Sequence, residues 1–193
     1  SLTEKIETKP EVFFSKLWPC ITLEPQPYFN LCWDLRDKRD LKHEDYSLKA
    51  PFSDFKFFEI LADKLPETVN LHFSNSSAIR YAQLFEFKTN SIHCNRGTSG
   101  IDGCTSTAMG FAMKAKEQTV LVTGDVSFFY DINGLWNNYI PPYTRIIVFN
   151  NGGGDIFKII PGPSSTNALE EFILTKHHKN AEYLAKHFGF GYT

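Results

Sequence analysis

Asp125 and Asn151 are the residues whose types and spacing most directly suggest chemistry. Each closes a short apolar run, TVLVTG before Asp125 and RIIVFN before Asn151, and they stand 26 positions apart. One carboxylate, one amide oxygen and a backbone carbonyl aimed inward by the glycines at 152–154 would make half of a hard-oxygen shell. Mg²⁺ takes about six oxygens and commonly completes its set with water and substrate phosphates. Glycine permits the backbone angles that turn a carbonyl toward a ligand. Ser127 falls where a helix opens, and the unpaired N–H groups of a helix start attract phosphate oxygens. The pattern suits a metal-bridged diphosphate. Taken singly, an Asp after a strand is also an ordinary N-cap, and Asn-Gly-Gly an ordinary turn. Their joint placement at one sheet edge is what favours a site.

That placement depends on the surrounding elements. Residues 1–26 are expected to be irregular, punctuated by Pro10, Pro19, Pro25 and Pro27, and residues 28–48 to form a charged, exposed helix ended by Pro51. This divides the chain into an N-terminal arm, 1–50, and a domain, 51–193. In the domain, Ser53 can cap a helix to about Lys64, with Phe57, Phe58 and Leu61 at helical spacing. Strands are expected at 69–73, 91–95, 119–125 and 145–151. Helices are expected at 76–86, 101–115, about 127–139 and about 167–187. Strands alternating with helices imply an α/β fold, a parallel sheet with helices on both faces. Right-handed crossovers bring the strand ends to one edge, where ligands of open α/β sheets sit. The residues there would be 74–76, 95–97, 124–127 and 150–154, a polar and glycine-rich set.

Composition narrows the function classes. The net charge is −2, with hydrophobic residues at 42%, so no basic footprint for nucleic acid or an anionic membrane is present. The apolar runs are too short to span a bilayer. Cys20, Cys32, Cys94 and Cys104 form neither CxxC nor a zinc spacing, and are expected to be reduced thiols of a cytoplasmic protein. Neither GxGxxG after a strand nor GxxxxGK[ST] occurs. The chain begins Ser-Leu-Thr, consistent with a piece of something longer. His72 and His93 fall within strands and suit packing, while His177 and His178 suit a solvated helix.

Four segments carry a resemblance. Gly124-Asp125 followed by Asn150-Asn151 is similar to the motif of thiamine-diphosphate enzymes. GDVSFFYDINGL (124–135) resembles the GDLSxxYDLNxL form found in the menaquinone-pathway synthase family. NRGTSGIDG (95–103) resembles that family's NRGASGIDG, NSSAIR (75–80) its NSxxxR, and NNGGGDIF (150–157) its NNNGGxIF. The resemblance covers about residues 55–165 and gives no information on 1–50. Val126 stands where many thiamine-diphosphate enzymes have Gly, Gly152 where the family commonly has a third Asn, and Asp155 where an uncharged residue is frequent.

The resemblance implies a thiamine-diphosphate-binding fold and a carboligating transferase. That enzyme would decarboxylate 2-oxoglutarate and add the resulting carbanion to isochorismate in menaquinone biosynthesis. It implies that Asp125, Asn151 and the Gly153 carbonyl bind Mg²⁺ or Mn²⁺. Ser99, Gly100, Ile101, Gly124, Asp125, Val126, Ser127, Asn151 and Gly153 would contact thiamine diphosphate, with Ile101 as the apolar wedge bending it. Ser76, Arg80, Arg96, Ile156 and Phe157 would line the substrate site. By residue type alone, Ile101 would be a core residue and Arg80 a solvated charge. Both implied substrates are dicarboxylates, for which Arg forks are suited. The activating glutamate is expected in an N-terminal pyrimidine-binding domain of the same enzyme, from another subunit of a homo-oligomer. Two alternatives stand beside this: another thiamine-diphosphate carboligase or decarboxylase, and a non-catalytic α/β binding module.

Overall fold

A computed structural model describes residues 3–22, 27–89 and 91–193. The chain divides into two compact units, Ser1–Ala50 and Pro51–Thr193. In the first, helix α1 spans Pro10–Leu17 and α2 spans Pro27–Lys49. The irregular segment expected over 1–26 therefore contains a helix. Pro10 is the reason: at the first helical position its missing N–H costs nothing and its fixed φ is already helical. The parts of that expectation on 1–2 and 23–26 lie outside the described residues.

In the second unit, α3 (Asp54–Lys64) leads into β1 (Asn70–Phe73), α4 (Ser77–Ala82), β2 (Ser91–Cys94), α5 (Cys104–Ala115), β3 (Thr119–Gly124), α6 (Asp125–Tyr130) and β4 (Thr144–Phe149), with α7 (Glu182–His187) near the C-terminus. The four strands form one all-parallel sheet in the order β2-β1-β3-β4. The α/β architecture is the one the sequence pattern predicts, and the strands that precede Asp125 and Asn151 are paired neighbours in it.

Alternation along β3 divides its side chains between two cores. Val120 and Val122 pack with Phe58, Leu61, Leu71, Phe73 and Ile79, beneath α3 and α4. Leu121, between them, packs with Ala108, Met109, Phe128 and Leu135, on the side of α5 and α6. A sheet covered on both faces needs such continuously apolar strands. The aromatic content has a concrete use here: the Phe58 ring lies 5.1 Å from Phe149 in a stack and 5.8 Å from Tyr81.

Three helices are shorter than the pattern suggests, each for a local reason. The helix expected to 86 stops at Ala82, where a turn tucks Phe85 and Phe87 against the core. The helix expected at 127–139 starts at Asp125, stops at Tyr130 and resumes as a 3-10 turn at Ile132–Leu135. Asp131 breaks it because its carboxylate accepts bonds from the N–H and Oγ of Ser106 at 2.7 Å each, capping the first turn of α5. Gly134 must be small there, since a Cβ would stand 2.9 Å from the Ser106 backbone. The long helix expected at 167–187 is a π-type turn at Leu169–Ile173, an extended strap, and then α7. The strap leaves helical geometry because its backbone bonds the glycine loop: Gly154 N–H donates to Leu174 O at 2.7 Å and His177 N–H to Gly152 O at 3.0 Å.

Candidate functional site

The order β2-β1-β3-β4 makes the chain reverse direction between β1 and β3, and the crevice outside such a switch point is where ligands of open parallel sheets bind. A cleft of about 450 Å³ opens there. Ser76, Arg80, Arg96, Ser99, Ile101, Gly124, Asp125, Val126, Ser127, Asn151, Gly153, Ile156 and Phe157 all line it. Gly100 does not. It stands behind the surface, where its carbonyl accepts the Asn75 amide at 2.6 Å and a Cβ would collide with Asp102.

Asp125 is 2% exposed, a buried carboxylate whose partners are mainly backbone. Its Oδ1 accepts Val126 N–H at 2.6 Å, and its Oδ2 accepts Gly152 N–H at 2.7 Å and Gly153 N–H at 3.1 Å. Gly152 has a φ of +80°, which presents these successive amides to one oxygen and which side chains resist. The ring of His177 stands against the same Oδ2, its Nε2 3.2 Å away, with only 11% of its side chain exposed. This corrects the expectation of a solvated, helical His177. His178 is exposed, as that expectation has it, but lies outside any helix.

Ser127 is buried in the first turn of α6, and its hydroxyl donates to the Ile101 carbonyl at 2.7 Å. The bond ties the turn after β3 to the loop after β2. The same loop is held from β1 by Asn75, which is 1% exposed. Its amide donates to Asn95 O at 2.7 Å and Gly100 O at 2.6 Å, while its Oδ1 accepts Arg96 Nη1 at 3.0 Å. Asn75 is a positioning residue that motif matching passed over. Its signal was present in the sequence, as the second of two polar residues after a buried strand.

Backbone strain concentrates at the same place. Among the described residues, four non-glycines have positive φ, and three of them, Ser76 (73°), Ser99 (61°) and Thr175 (50°), line the cleft. Such conformations cost about 1–3 kcal/mol each and gather where function holds them. The cleft also contains Asp54, Phe149 and Asp155, which motif matching did not select. Burial raises the Asp54 carboxyl above the ordinary range, with a further push from Asp155. Asp155 pairs with Lys158 at 2.6 Å. His72 and His93 lie elsewhere, stacked with ring centroids 4.7 Å apart inside the sheet.

The donor chemistry can be tested against a metal-bound diphosphate. No group of three His, Cys, Asp or Glu side chains suited to a metal occurs among the described residues. A transition-metal cage is therefore not built from these side chains. What the cleft offers is one buried carboxylate, the Asn151 amide and the Gly153 backbone. This hard-oxygen set fits Mg²⁺ or Mn²⁺ sharing its shell with phosphates. A buried carboxylate with no Lys or Arg bonded to it among the described residues is also a place where a cation lowers the free energy.

No family model matches the chain. It is 49% identical over its whole length to 2-succinyl-5-enolpyruvyl-6-hydroxy-3-cyclohexene-1-carboxylate synthase of Flavobacterium psychrophilum, covering 35% of that protein. It is 46% identical over 96% of its length to the synthase of the same name from Flavobacterium johnsoniae, covering 34%. With the Bacteroides thetaiotaomicron synthase it shares 39% identity over its whole length, again covering 34%. The chain thus spans about a third of the length of the relatives it matches.

Proposed function

The chain belongs by sequence to the 2-succinyl-5-enolpyruvyl-6-hydroxy-3-cyclohexene-1-carboxylate synthase family, and on that premise we propose that it is the part of such an enzyme that binds the diphosphate and metal of thiamine diphosphate. The enzyme would be a transferase joining decarboxylated 2-oxoglutarate to isochorismate. The observation that carries this is the convergence of 13 of the 14 expected residues on one cleft at the switch point of the sheet.

When bound, thiamine diphosphate supplies the electron sink for decarboxylation and carbon–carbon bond formation. The residues here supply binding, orientation and exclusion of water. Asp125, Asn151 and the Gly153 carbonyl would hold Mg²⁺ or Mn²⁺. The first turn of α6, with Ser127 and the Val126 backbone, would meet the diphosphate. Ile101 would pack against the cofactor as an apolar prop, held by the Ser127 bond to its carbonyl. Arg80 and Arg96 would face substrate carboxylates, with Ile156 and Phe157 forming the apolar wall. A pyrimidine-binding domain elsewhere in the enzyme would complete the site.

Calorimetric titration of thiamine diphosphate with and without Mg²⁺ tests the binding assignment. Product analysis with 2-oxoglutarate and isochorismate tests the reaction. Affinity indifferent to Mg²⁺ would favour a binding module of another kind. Turnover of pyruvate in preference to 2-oxoglutarate would favour a different carboligase or decarboxylase.

A further inference from the structure

His177 has no role in the function proposed above, yet it is the only side chain recorded against the Oδ2 oxygen of Asp125 among the described residues. Three facts define what it can do there. Its ring packs edge-on to Phe129 at 5.3 Å, and the backbone N–H of His177 donates to Gly152 O. Its tautomer follows from its neighbours. The Lys179 backbone N–H donates to Nδ1 at 3.1 Å, which makes Nδ1 an acceptor and leaves the proton of the neutral ring on Nε2. That Nε2–H is buried, with no aligned acceptor, although Oδ2 lies 3.2 Å away.

Asp125 lines the cleft and His177 does not. The imidazole therefore approaches the carboxylate from behind, beside the Gly152 and Gly153 amides that share Oδ2. Three donors on one oxygen would fix the plane of the carboxylate and dispose it toward the cleft. Groups that orient a metal-binding carboxylate commonly matter to affinity as much as a further ligand would, about 10–100-fold.

We propose that His177 is a positioning residue for the metal site: a slight rotation of its ring completes an Nε2–H bond to Asp125 Oδ2, holding the carboxylate in its metal-binding orientation through the Leu174–His177 strap. The inference rests on the assignment of Asp125 as a metal ligand. It assigns His177 no contact with the metal itself.

The test is Mn²⁺ binding, read by electron paramagnetic resonance in the presence of thiamine diphosphate, using the intact enzyme that contains this chain. His177→Phe keeps the packing on Phe129 and removes the donor, so Mn²⁺ affinity falls about 10–100-fold. His177→Gln restores an N–H near the Nε2 position and returns affinity close to that of wild type. The wild-type spectrum shows no coupling to an imidazole nitrogen, because the ring stands behind the carboxylate. Equal affinity in wild type and both variants, with matching thermal melts, overturns the inference and leaves the Asp125 assignment standing. A nitrogen coupling lost in both variants overturns it differently, by making His177 a ligand. If wild type and Asp125→Ala bind Mn²⁺ identically, the metal assignment fails and this inference falls with it.

Discussion

Arg96 Nη1 donates to Asn75 Oδ1 at 3.0 Å, so a cleft-lining guanidinium on the loop after β2 takes its position from a buried amide at the end of β1. The same amide holds the carbonyls of Asn95 and Gly100. Removing it should disorganise the whole loop. We expect Asn75→Ala to lose about 2–4 kcal/mol of stability, since each buried group left unpaired costs about 1–3 kcal/mol. Asn75→Ala should also weaken substrate use, because Arg96 loses its anchor. Arg80→Ala should instead spare stability, Arg96→Ala should cost less than Asn75→Ala because only the Asn75 Oδ1 loses its partner, and both should raise the KM for the two acids. A lost charge-assisted bond is worth about 1.5–3 kcal/mol, roughly tenfold to a hundredfold. Arg96→Lys should not rescue, because an ammonium cannot reproduce the fork. Urea unfolding and steady-state kinetics of the four variants check this. Unchanged kinetics in both arginine variants would remove these residues from the substrate site.

Asp125 and Asn151 should separate in stability while agreeing in cofactor binding. From the sequence, both are sheet-edge residues whose loss the fold should tolerate. The structure makes Asp125 different: it is buried and accepts three backbone N–H groups. Asp125→Ala strands those donors and should cost upwards of about 2 kcal/mol. Asn151 is exposed, so Asn151→Ala should melt close to wild type. Both variants should lose Mg²⁺-dependent affinity for thiamine diphosphate. Retained affinity in either would remove that residue from the proposed shell.

What was legible in the sequence followed from period and punctuation. Four apolar runs separated by helical patterns gave the parallel sheet, and the polar residues ending each run gave its edge. The departures arise where a tertiary bond overrides local preference. The pattern through 127–139 is helical, but Asp131 leaves the helix to cap α5 across 25 residues. The stretch 167–187 also has helical composition, but the glycine loop offers backbone partners to Leu174 and His177. A helix through 167–187 would turn His177 outward, whereas the strap turns it onto Asp125. Asp54 was invisible for another reason: it belongs to α3, which no motif ties to the strand ends.

Buried His72, stacked against the half-buried His93, predicts an acid limb in stability. Burial, and then the neighbouring His93, lower His72 from 6.5 to about 4. The folded chain thus keeps His72 neutral where the unfolded chain already binds a proton. Between about pH 6.5 and about pH 4 the unfolded state binds more protons, so stability falls as pH falls through that window. The contribution is at most about 3 kcal/mol, at 1.36 kcal/mol per pH unit. His72 Nε2 has no hydrogen-bond partner among the described residues, so His72→Leu removes the titration without breaking a bond. Melting temperatures at pH 7 and near pH 4.5 should differ less in His72→Leu than in wild type. An equal acid loss in the variant would assign the limb to other groups.

We expect the purified 193-residue chain to bind thiamine diphosphate weakly and not to decarboxylate 2-oxoglutarate. Proton transfer from a positioned acid or base contributes about 10²–10⁴-fold to such reactions, and in the proposed reading a glutamate of another domain would supply it at the cofactor ring. The twelve Glu residues stand at 4, 7, 11, 24, 44, 59, 67, 86, 117, 170, 171 and 182, and none of the described ones is among the cleft-lining residues. The carboxylates that do line it are Asp54, Asp125 and Asp155. Asp125 is engaged by the glycine loop, and Asp155 is paired with Lys158. Asp54 alone combines a place in the cleft with a carboxyl raised by burial. The assay is 2-oxoglutarate decarboxylation by the chain with thiamine diphosphate and Mg²⁺, repeated with the remainder of the enzyme fused to it. Turnover only in the fused form supports a missing activating domain. Turnover by the chain alone overturns that reading, and its loss in Asp54→Asn would identify the carboxylate responsible.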